Sequence, residues 1–208
     1  MNTGDDGCPG EVFVSFLHYR PVAIGVAVSA LLTLSTTPVN ADPAADPIGP
    51  ACAYYAAGGQ AGARSVADAA QQPLTVAASR NPKLSALSAA LSGKLNPAVN
   101  LVDTLNGGQF TVFAPVDTAF SRLPADATAS LQTDAARLTQ LLTYHVIPAR
   151  FSPTNIDGTH KTLQGSDLSV TGAPDHLWVN DALVLCGGIT TANATLYLID
   201  TVLTPAVE

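Results

Sequence analysis

The chain has 208 residues, of which 47% are hydrophobic and only 12% are charged. It is too apolar to be disordered, and it is long enough for a targeting segment followed by one domain. The formal net charge of −7 gives it no electrostatic attraction to nucleic acid or to anionic lipid, so neither is expected as a partner.

The first forty residues read as a targeting segment. Residues 21–34, PVAIGVAVSALLTL, carry no charge; this length suits a signal-peptide core but falls short of the roughly 20 residues that a spanning helix needs. Small residues at Val39 and Ala41 predict cleavage after Ala41. Residues 1–41 are therefore interpreted as a signal peptide, with an uncleaved anchor as the alternative. We expect a secreted, extracellular protein, compatible with cell-envelope association and with no stable membrane insertion after cleavage.

Two cysteines remain after residues 1–41 are removed, Cys52 and Cys186. In an exported protein this pair predicts one disulfide, which would tie the start of the domain to its last strands. Two free buried thiols are the alternative. Residues 42–64 are interpreted as a proline-rich linker and a disulfide-anchored N-terminal segment, and residues 65–208 as one domain.

Short helices are predicted at the start of this domain. Ser65, Pro73 and Pro97 stand where helices would begin, and Gly93 and Gly107 stand where two of them would end. This punctuation predicts several short helices before the first strand.

Residues 109–120, QFTVFAPVDTAF, form the central stretch. The alternation through 110–114 predicts a buried strand, which Pro115 ends because proline cannot donate to a sheet ladder. Asp117 follows where a helix would start, and its carboxylate is expected to cap the first turn of that helix. Phe113 and Phe120 are expected to be the large core side chains on either side of this corner.

The rest of the chain changes from helices to hairpins. A helical turn is predicted at 126–132, a clearer helix at 134–143, and a short strand at 144–148. Glycine-punctuated strands are then predicted at 161–164, 167–171, 176–180, 183–186 and 196–202. Helices first and antiparallel strands later indicate an α+β fold.

Three stretches together resemble the signature segments of the fasciclin domain: TVFAPVDTAF at 111–120, TYHVIP at 143–148 and LIDTVLTP at 198–205. The chain is also similar to the small secreted single-fasciclin immunogenic proteins of mycobacteria, through Cys52, residues 95–115 and CGGITTANATLYLID at 186–200. The resemblance implies a β-wedge of mainly antiparallel strands with several short helices packed on it. It also implies extracellular adhesion through a protein or glycan partner, and we expect a monomer.

The resemblance assigns roles to particular residues. In the family the tyrosine–histidine pair packs beside the first segment, so His145 is expected to be buried and bonded to the corner at 115–118. The motif residues carried over in this way are Phe113, Pro115, Asp117, Phe120, Tyr144 and His145. Family claims of integrin binding centre on the tyrosine–histidine stretch and on Asp/Asn–Ile pairs. The candidate partner contacts are therefore Tyr144, His145, Asn155 and Ile156.

No enzyme, cofactor or metal site is predicted. A triad of His145, Asp117 and Ser121 can be imagined, but Ser121 lacks a nucleophile elbow. The histidines show no paired ligand spacing, and the cysteines form no C-x-x-C arrangement.

Three further features have two interpretations each. Asn193-Ala194-Thr195 matches the N-glycosylation sequon, although Thr195 is as easily a strand residue. Trp178 is either a surface residue on a hairpin or part of the core. For the whole protein, the alternative to adhesion is a small-ligand or lipid carrier in the envelope, which needs an apolar cavity.

Overall fold

The computed structural model describes residues 47–56 and 68–205. The predicted signal peptide, most of the linker and the helix start at Ser65 lie outside these described residues. The helices are α1 Cys52–Ala56, α2 Leu74–Arg80, α3 Ser85–Leu91, α4 Val102–Asn106, α5 Asp117–Ser121, α6 Ala125–Thr133 and α7 Ala135–Tyr144. The strands are β1 Phe110–Pro115, β2 Val146–Ile147, β3 Gly158–Lys161, β4 Asp167–Ala173, β5 His176–Val179, β6 Ala182–Thr190 and β7 Ala194–Ile199.

The strands form a seven-stranded sheet in the order β2-β1-β7-β6-β5-β4-β3. β1 and β7 run parallel, from Phe110 opposite Ala194 to Pro115 opposite Ile199. The other neighbouring strands are antiparallel. After β3 the chain returns to β2, where the Leu163 N–H donates to the Val146 carbonyl at 2.7 Å. The predicted α+β fold with a mainly antiparallel sheet is therefore confirmed.

Every residue of β1 and β7 is buried, because the two strands lie between two hydrophobic clusters. One cluster joins the sheet to the helices and includes Leu74, Leu87, Val112, Leu138 and Leu196. The other lies among the strands and includes Phe113, Ile156, Val170, Leu177 and Tyr197.

The phenol of Tyr197 sits in the second cluster, and its ring centroid lies 5.6 Å from that of Phe113. Burial raises the pKa of Tyr197 well above its usual range. The buried hydroxyl donates to the Phe151 carbonyl at 3.1 Å, as a buried polar group requires. Phe113 is completely buried as predicted, whereas Phe120 is only half-buried and packs at the margin of the helical cluster.

The prediction that Gly187 and Gly188 separate two strands is wrong. Both glycines lie inside β6, where the register against β7 shifts between Val184 and Ile189. A Cβ on Gly187 would lie 2.3 Å from Cδ1 of Tyr197, so the aromatic ring can pack against the strand only if this residue has no side chain. The glycines are therefore needed for packing and for a bulge, not for a turn.

Residues 48–52, which we call the clasp, pair with β6 around Leu185 and Gly187. Ile48 and Gly187 exchange backbone hydrogen bonds of 2.9 and 2.7 Å, and the Ala51 N–H donates to the Leu185 carbonyl at 3.0 Å. A disulfide joins Cys52 to Cys186 with an S–S distance of 2.06 Å. The predicted disulfide is thus present, and it holds the start of the domain on the middle of the sheet.

Candidate functional site: the histidine junction and the outer face

His145 caps the C-terminal end of α7 and is 1% exposed. Its Nδ1 lies 2.7 Å from the Leu141 carbonyl oxygen, and its Nε2 lies 3.0 Å from the Leu203 backbone nitrogen. A carbonyl only accepts and a backbone N–H only donates, so the ring is neutral with its proton on Nδ1. Desolvation by burial lowers the pKa of His145 to about 4, against the smaller raising effect of the Leu141 bond.

The partners of His145 differ from the predicted ones. The imidazole bonds to Leu203 in the third signature segment rather than to the corner at 115–118. The first segment is reached through the backbone instead, since the Phe113 N–H donates to the His145 carbonyl at 2.9 Å. The three signature segments therefore meet at one residue, and the side chain of that residue is fully occupied by backbone groups.

Two of the other three candidate contact residues are also buried. Tyr144 is 3% exposed, and its hydroxyl donates to the Asp167 carbonyl at 3.2 Å and accepts from Nδ2 of Asn180 at 2.9 Å. Ile156 is completely buried. Direct contact with a partner by Tyr144, His145 or Ile156 therefore conflicts with this fold, because their side chains are covered. Asn155 is exposed, and a contact role for it stays a prediction.

Asp117 caps a helix, but not the helix that was predicted. Its Oδ2 accepts from Oγ of Ser85 at 2.6 Å, and its Oδ1 accepts from the Ala86 N–H at 2.9 Å. These groups belong to the first turn of α3, whereas α5, which begins at Asp117, has no side-chain cap. A carboxylate at the N-terminus of α3 satisfies a free N–H and complements the helix dipole. The sequence identified the capping residue, but it could not show that the capped groups lie 31 and 32 residues earlier in the chain.

The imagined hydrolase triad is not assembled. Both ring nitrogens of His145 face backbone groups, and the Ser121 hydroxyl donates to the Thr118 carbonyl at 2.8 Å. Within residues 47–56 and 68–205, no group of three or more His, Cys, Asp or Glu side chains is arranged to hold a metal ion. Over the same residues, no helix combines the length and the hydrophobicity needed to cross a membrane.

Asn193, the sequon asparagine, has a structural role. Its Oδ1 accepts from the Leu74 N–H at 2.9 Å, and its Nδ2 donates to the carbonyls of Leu105 and Gly108 at 2.7 and 2.9 Å. The nitrogen that a glycan would modify is thus engaged between α2, the end of α4 and the start of β1. Thr195 lies in β7, which agrees with its interpretation as a strand residue.

Trp178 lies on the solvent side of the hairpins, on what we call the outer face of β3, β4 and β5. Its side chain is 45% exposed and stands opposite Thr171 on one side and Leu183 on the other. β4, which pairs with β5, and β3 beyond it place five polar residues on this face: Thr159, Lys161, Asp167, Ser169 and Thr171. Lys161 and Asp167 form an exposed ion pair at 3.6 Å. The alternation of HLWV, with Leu177 and Val179 buried, decides that Trp178 points outward.

These features describe an α+β fold with a disulfide, a buried junction of backbone contacts, and a sheet face on which Trp178 is exposed among the described residues. A solved structure of a FAS1 domain pair from the insect cell adhesion molecule Fasciclin I has the same fold, with a TM-score of 0.54 at 16% identity. The match covers 65% of this chain and 52% of that one, so this chain spans about half of the two-domain protein. The family model for the fasciclin domain matches residues 82–205, and the chain belongs to the fasciclin-domain family.

Relatives in mycobacteria are much more similar in sequence. The cell surface glycolipoprotein MPB83 of Mycobacterium bovis is 61% identical over 173 residues, which cover 83% of this chain and 79% of that protein. The immunogenic protein MPB70 of the same species is 53% identical over 176 residues, which cover 85% of this chain and 90% of that protein. The chain therefore belongs with extracellular, cell-surface proteins of mycobacteria, and family and relatives point to a protein that is not an enzyme.

Proposed function

We propose that this protein mediates extracellular adhesion, in which the fasciclin domain binds a host or matrix protein or glycan through the outer face of β3, β4 and β5. The observation that carries this proposal is Trp178, a tryptophan on β5 that is left 45% exposed beside the polar residues of β4. Membership of the fasciclin family and the similarity to cell-surface proteins support the general role.

The outer face has the composition that a binding surface needs. A large aromatic side chain supplies contact area at a low cost in conformational entropy, and tryptophan is enriched among the residues that dominate binding energies. Around it, Thr171, Ser169 and Thr159 offer hydroxyl groups that donate and accept hydrogen bonds. Lys161 and Asp167 neutralise each other, so they give this face no net charge of their own.

The test is binding of the secreted protein to purified extracellular-matrix proteins and immobilised glycans, compared with a Trp178→Ala variant. Removal of this tryptophan is expected to weaken binding at least tenfold, since tryptophans at binding surfaces commonly contribute more than about 1.4 kcal/mol. Stability should change little, because almost half of this side chain is already in water.

Leu163→Ala is the matched control. Leu163 is also an exposed apolar residue, at 37%, but it lies after β3 and outside the outer face. The Leu163→Ala variant should bind with the same affinity as the unmodified protein. A folded Trp178→Ala variant that binds every partner with unchanged affinity would show that the outer face is not the adhesive surface.

A further inference from the structure

Trp178 differs from Tyr54, the other large aromatic side chain that is exposed among the described residues. The Tyr54 ring is 62% exposed, and Nζ of Lys83 lies 5.1 Å from its centroid. No lysine or arginine of the described residues lies over the ring of Trp178. Tryptophan is the side chain whose ring face attracts a cation most strongly. Trp178 therefore offers its ring to a cation from another molecule.

Carboxylates lie at both ends of the strand that carries Trp178. Asp175 is in the turn before β5, and Asp181 is in the turn after it. Asp157 comes just before β3, and all three aspartates are exposed. None of the three forms an ion pair with a lysine or arginine of the described residues. The outer face is therefore bordered by negative charge that the described chain does not neutralise.

The two halves of the domain differ in charge. Residues 151–200, which include β3 to β7, contain five aspartates and one lysine. Residues 68–150 contain five aspartates and six lysines or arginines. A surface with one sign of charge attracts partners of the opposite sign and disfavours partners of the same sign. The outer face is therefore complementary to a basic partner, and it disfavours an anionic one such as a sulfated glycan.

We propose that the outer face binds a basic protein segment, with a lysine or arginine side chain of that segment packed on Trp178. This inference rests on the proposed function, because it names the partner class of the same face. Asp175 and Asp181 each lie three residues from Trp178, which is about 10 Å along an extended strand. An extended segment with a basic residue at every third position matches this spacing. It places one cation on the indole ring and one near each carboxylate.

The intrinsic fluorescence of the protein tests this directly, because Trp178 is its single tryptophan. The probe is a short synthetic peptide with arginine at every third position and with glycine and serine between. Adding this peptide should change the Trp178 emission in a saturable way. Raising the NaCl concentration from about 0.05 to about 0.5 M should weaken the binding at least tenfold. A peptide with glutamate in place of arginine, and a heparin oligosaccharide, should leave the emission unchanged.

Two double variants with the same net charge separate the outer face from the rest of the surface. Asp175→Asn combined with Asp181→Asn should weaken binding of the arginine peptide at least about threefold. Asp103→Asn combined with Asp126→Asn is the matched control, since it alters two exposed aspartates in α4 and α6, and it should bind as tightly as the wild type. Trp178→Leu, followed by calorimetry, should weaken binding about twofold to fivefold through loss of the ring.

An arginine peptide that produces no saturable change in emission at low salt would overturn the proposal. Equal losses in the two double variants would also overturn it, because the net charge and not the outer face would then attract the peptide. If the arginine peptide does not bind but Trp178→Ala still abolishes adhesion, the outer face is adhesive and its partner is not basic. If the peptide binds but Trp178→Ala leaves adhesion unchanged, the proposed function fails and this inference stands.

Discussion

At the scale of single residues, His145 explains why the tyrosine–histidine signature is part of this fold. The side chain connects the end of α7 to the chain at Leu203, which follows β7 by a few residues. Each of its two nitrogens satisfies a buried backbone group that has no access to water. His145, which could be taken for a catalytic or partner-contact residue, therefore has a structural role and connects distant segments of the chain.

Replacing His145 by alanine should destabilise the protein. The substitution leaves the buried Leu203 N–H without an acceptor, which costs about 1–3 kcal/mol in the free energy of unfolding, and it adds a cavity. His145→Gln, which still carries a hydrogen-bonding group, should cost less. Urea unfolding measures both values. Loss of partner binding with unchanged stability in His145→Ala would instead make the histidine a contact residue.

The neutral state of His145 predicts a pH dependence. Its folded pKa of about 4 lies below the ordinary histidine value of 6.5 in the unfolded chain, so the unfolded chain binds more protons between these values. The contribution of neutral His145 to the free energy of unfolding is therefore fully present above about pH 6.5. It is lost as the pH falls towards 4, and the loss reaches up to about 3 kcal/mol. The measurement is the difference in unfolding free energy between wild type and His145→Gln across this range, in which the shared carboxylates cancel. A difference that does not vary with pH would contradict the neutral, desolvated ring.

At the scale of elements, β6 shows how one strand accommodates a large side chain and an added segment at once. Gly187 lies under the ring of Tyr197 and also exchanges two hydrogen bonds with Ile48. Because Gly187 has no side chain, the Tyr197 ring can pack against it in the core while its backbone pairs with the clasp.

Gly187→Ala should be among the more destabilising single-methyl additions in this chain. The new Cβ would lie 2.3 Å from the Tyr197 ring, which is held by its contact with Phe113 and by its bond to Phe151. Overpacking of this kind typically costs about 1–3 kcal/mol. Gly107→Ala is the control, since its nearest atom would be at 3.2 Å, and it should cost clearly less in thermal unfolding. Equal melting temperatures for the two variants would show that the ring moves aside freely.

At the scale of the whole molecule, the clasp and the β1–β7 pair join the two ends of the domain. β1 precedes β7 by about eighty residues, yet the two strands lie side by side through their whole length. The disulfide closes a still longer loop from Cys52 to Cys186. The chain loses much conformational entropy when such distant segments come into contact. A covalent bond between them therefore stabilises the folded state considerably.

Loss of the disulfide should lower stability without changing the fold. By the chain-entropy argument, a loop of this length corresponds to up to about 5 kcal/mol in the free energy of unfolding. The Cys186→Ser variant should therefore melt well below the oxidised protein, and dithiothreitol should shift the wild type towards the variant. Circular dichroism at room temperature should show the same secondary structure in both. A melting temperature that does not respond to reduction would mean that the disulfide contributes nothing to stability.

The family, the α+β class and the cysteine pair could be predicted without the structure. These follow from local patterns: alternation along β1, leucine spacing along α7, and three signature segments in a given order. The partners of the individual side chains, in contrast, are known only from the folded arrangement. Asp117 caps α3 instead of its own helix, His145 bonds to Leu203, and Gly187 lies inside a strand. The reason is that periodicity reports only the environment of a side chain, buried or exposed, whereas its partner is set by the packing of segments that lie far apart in the chain.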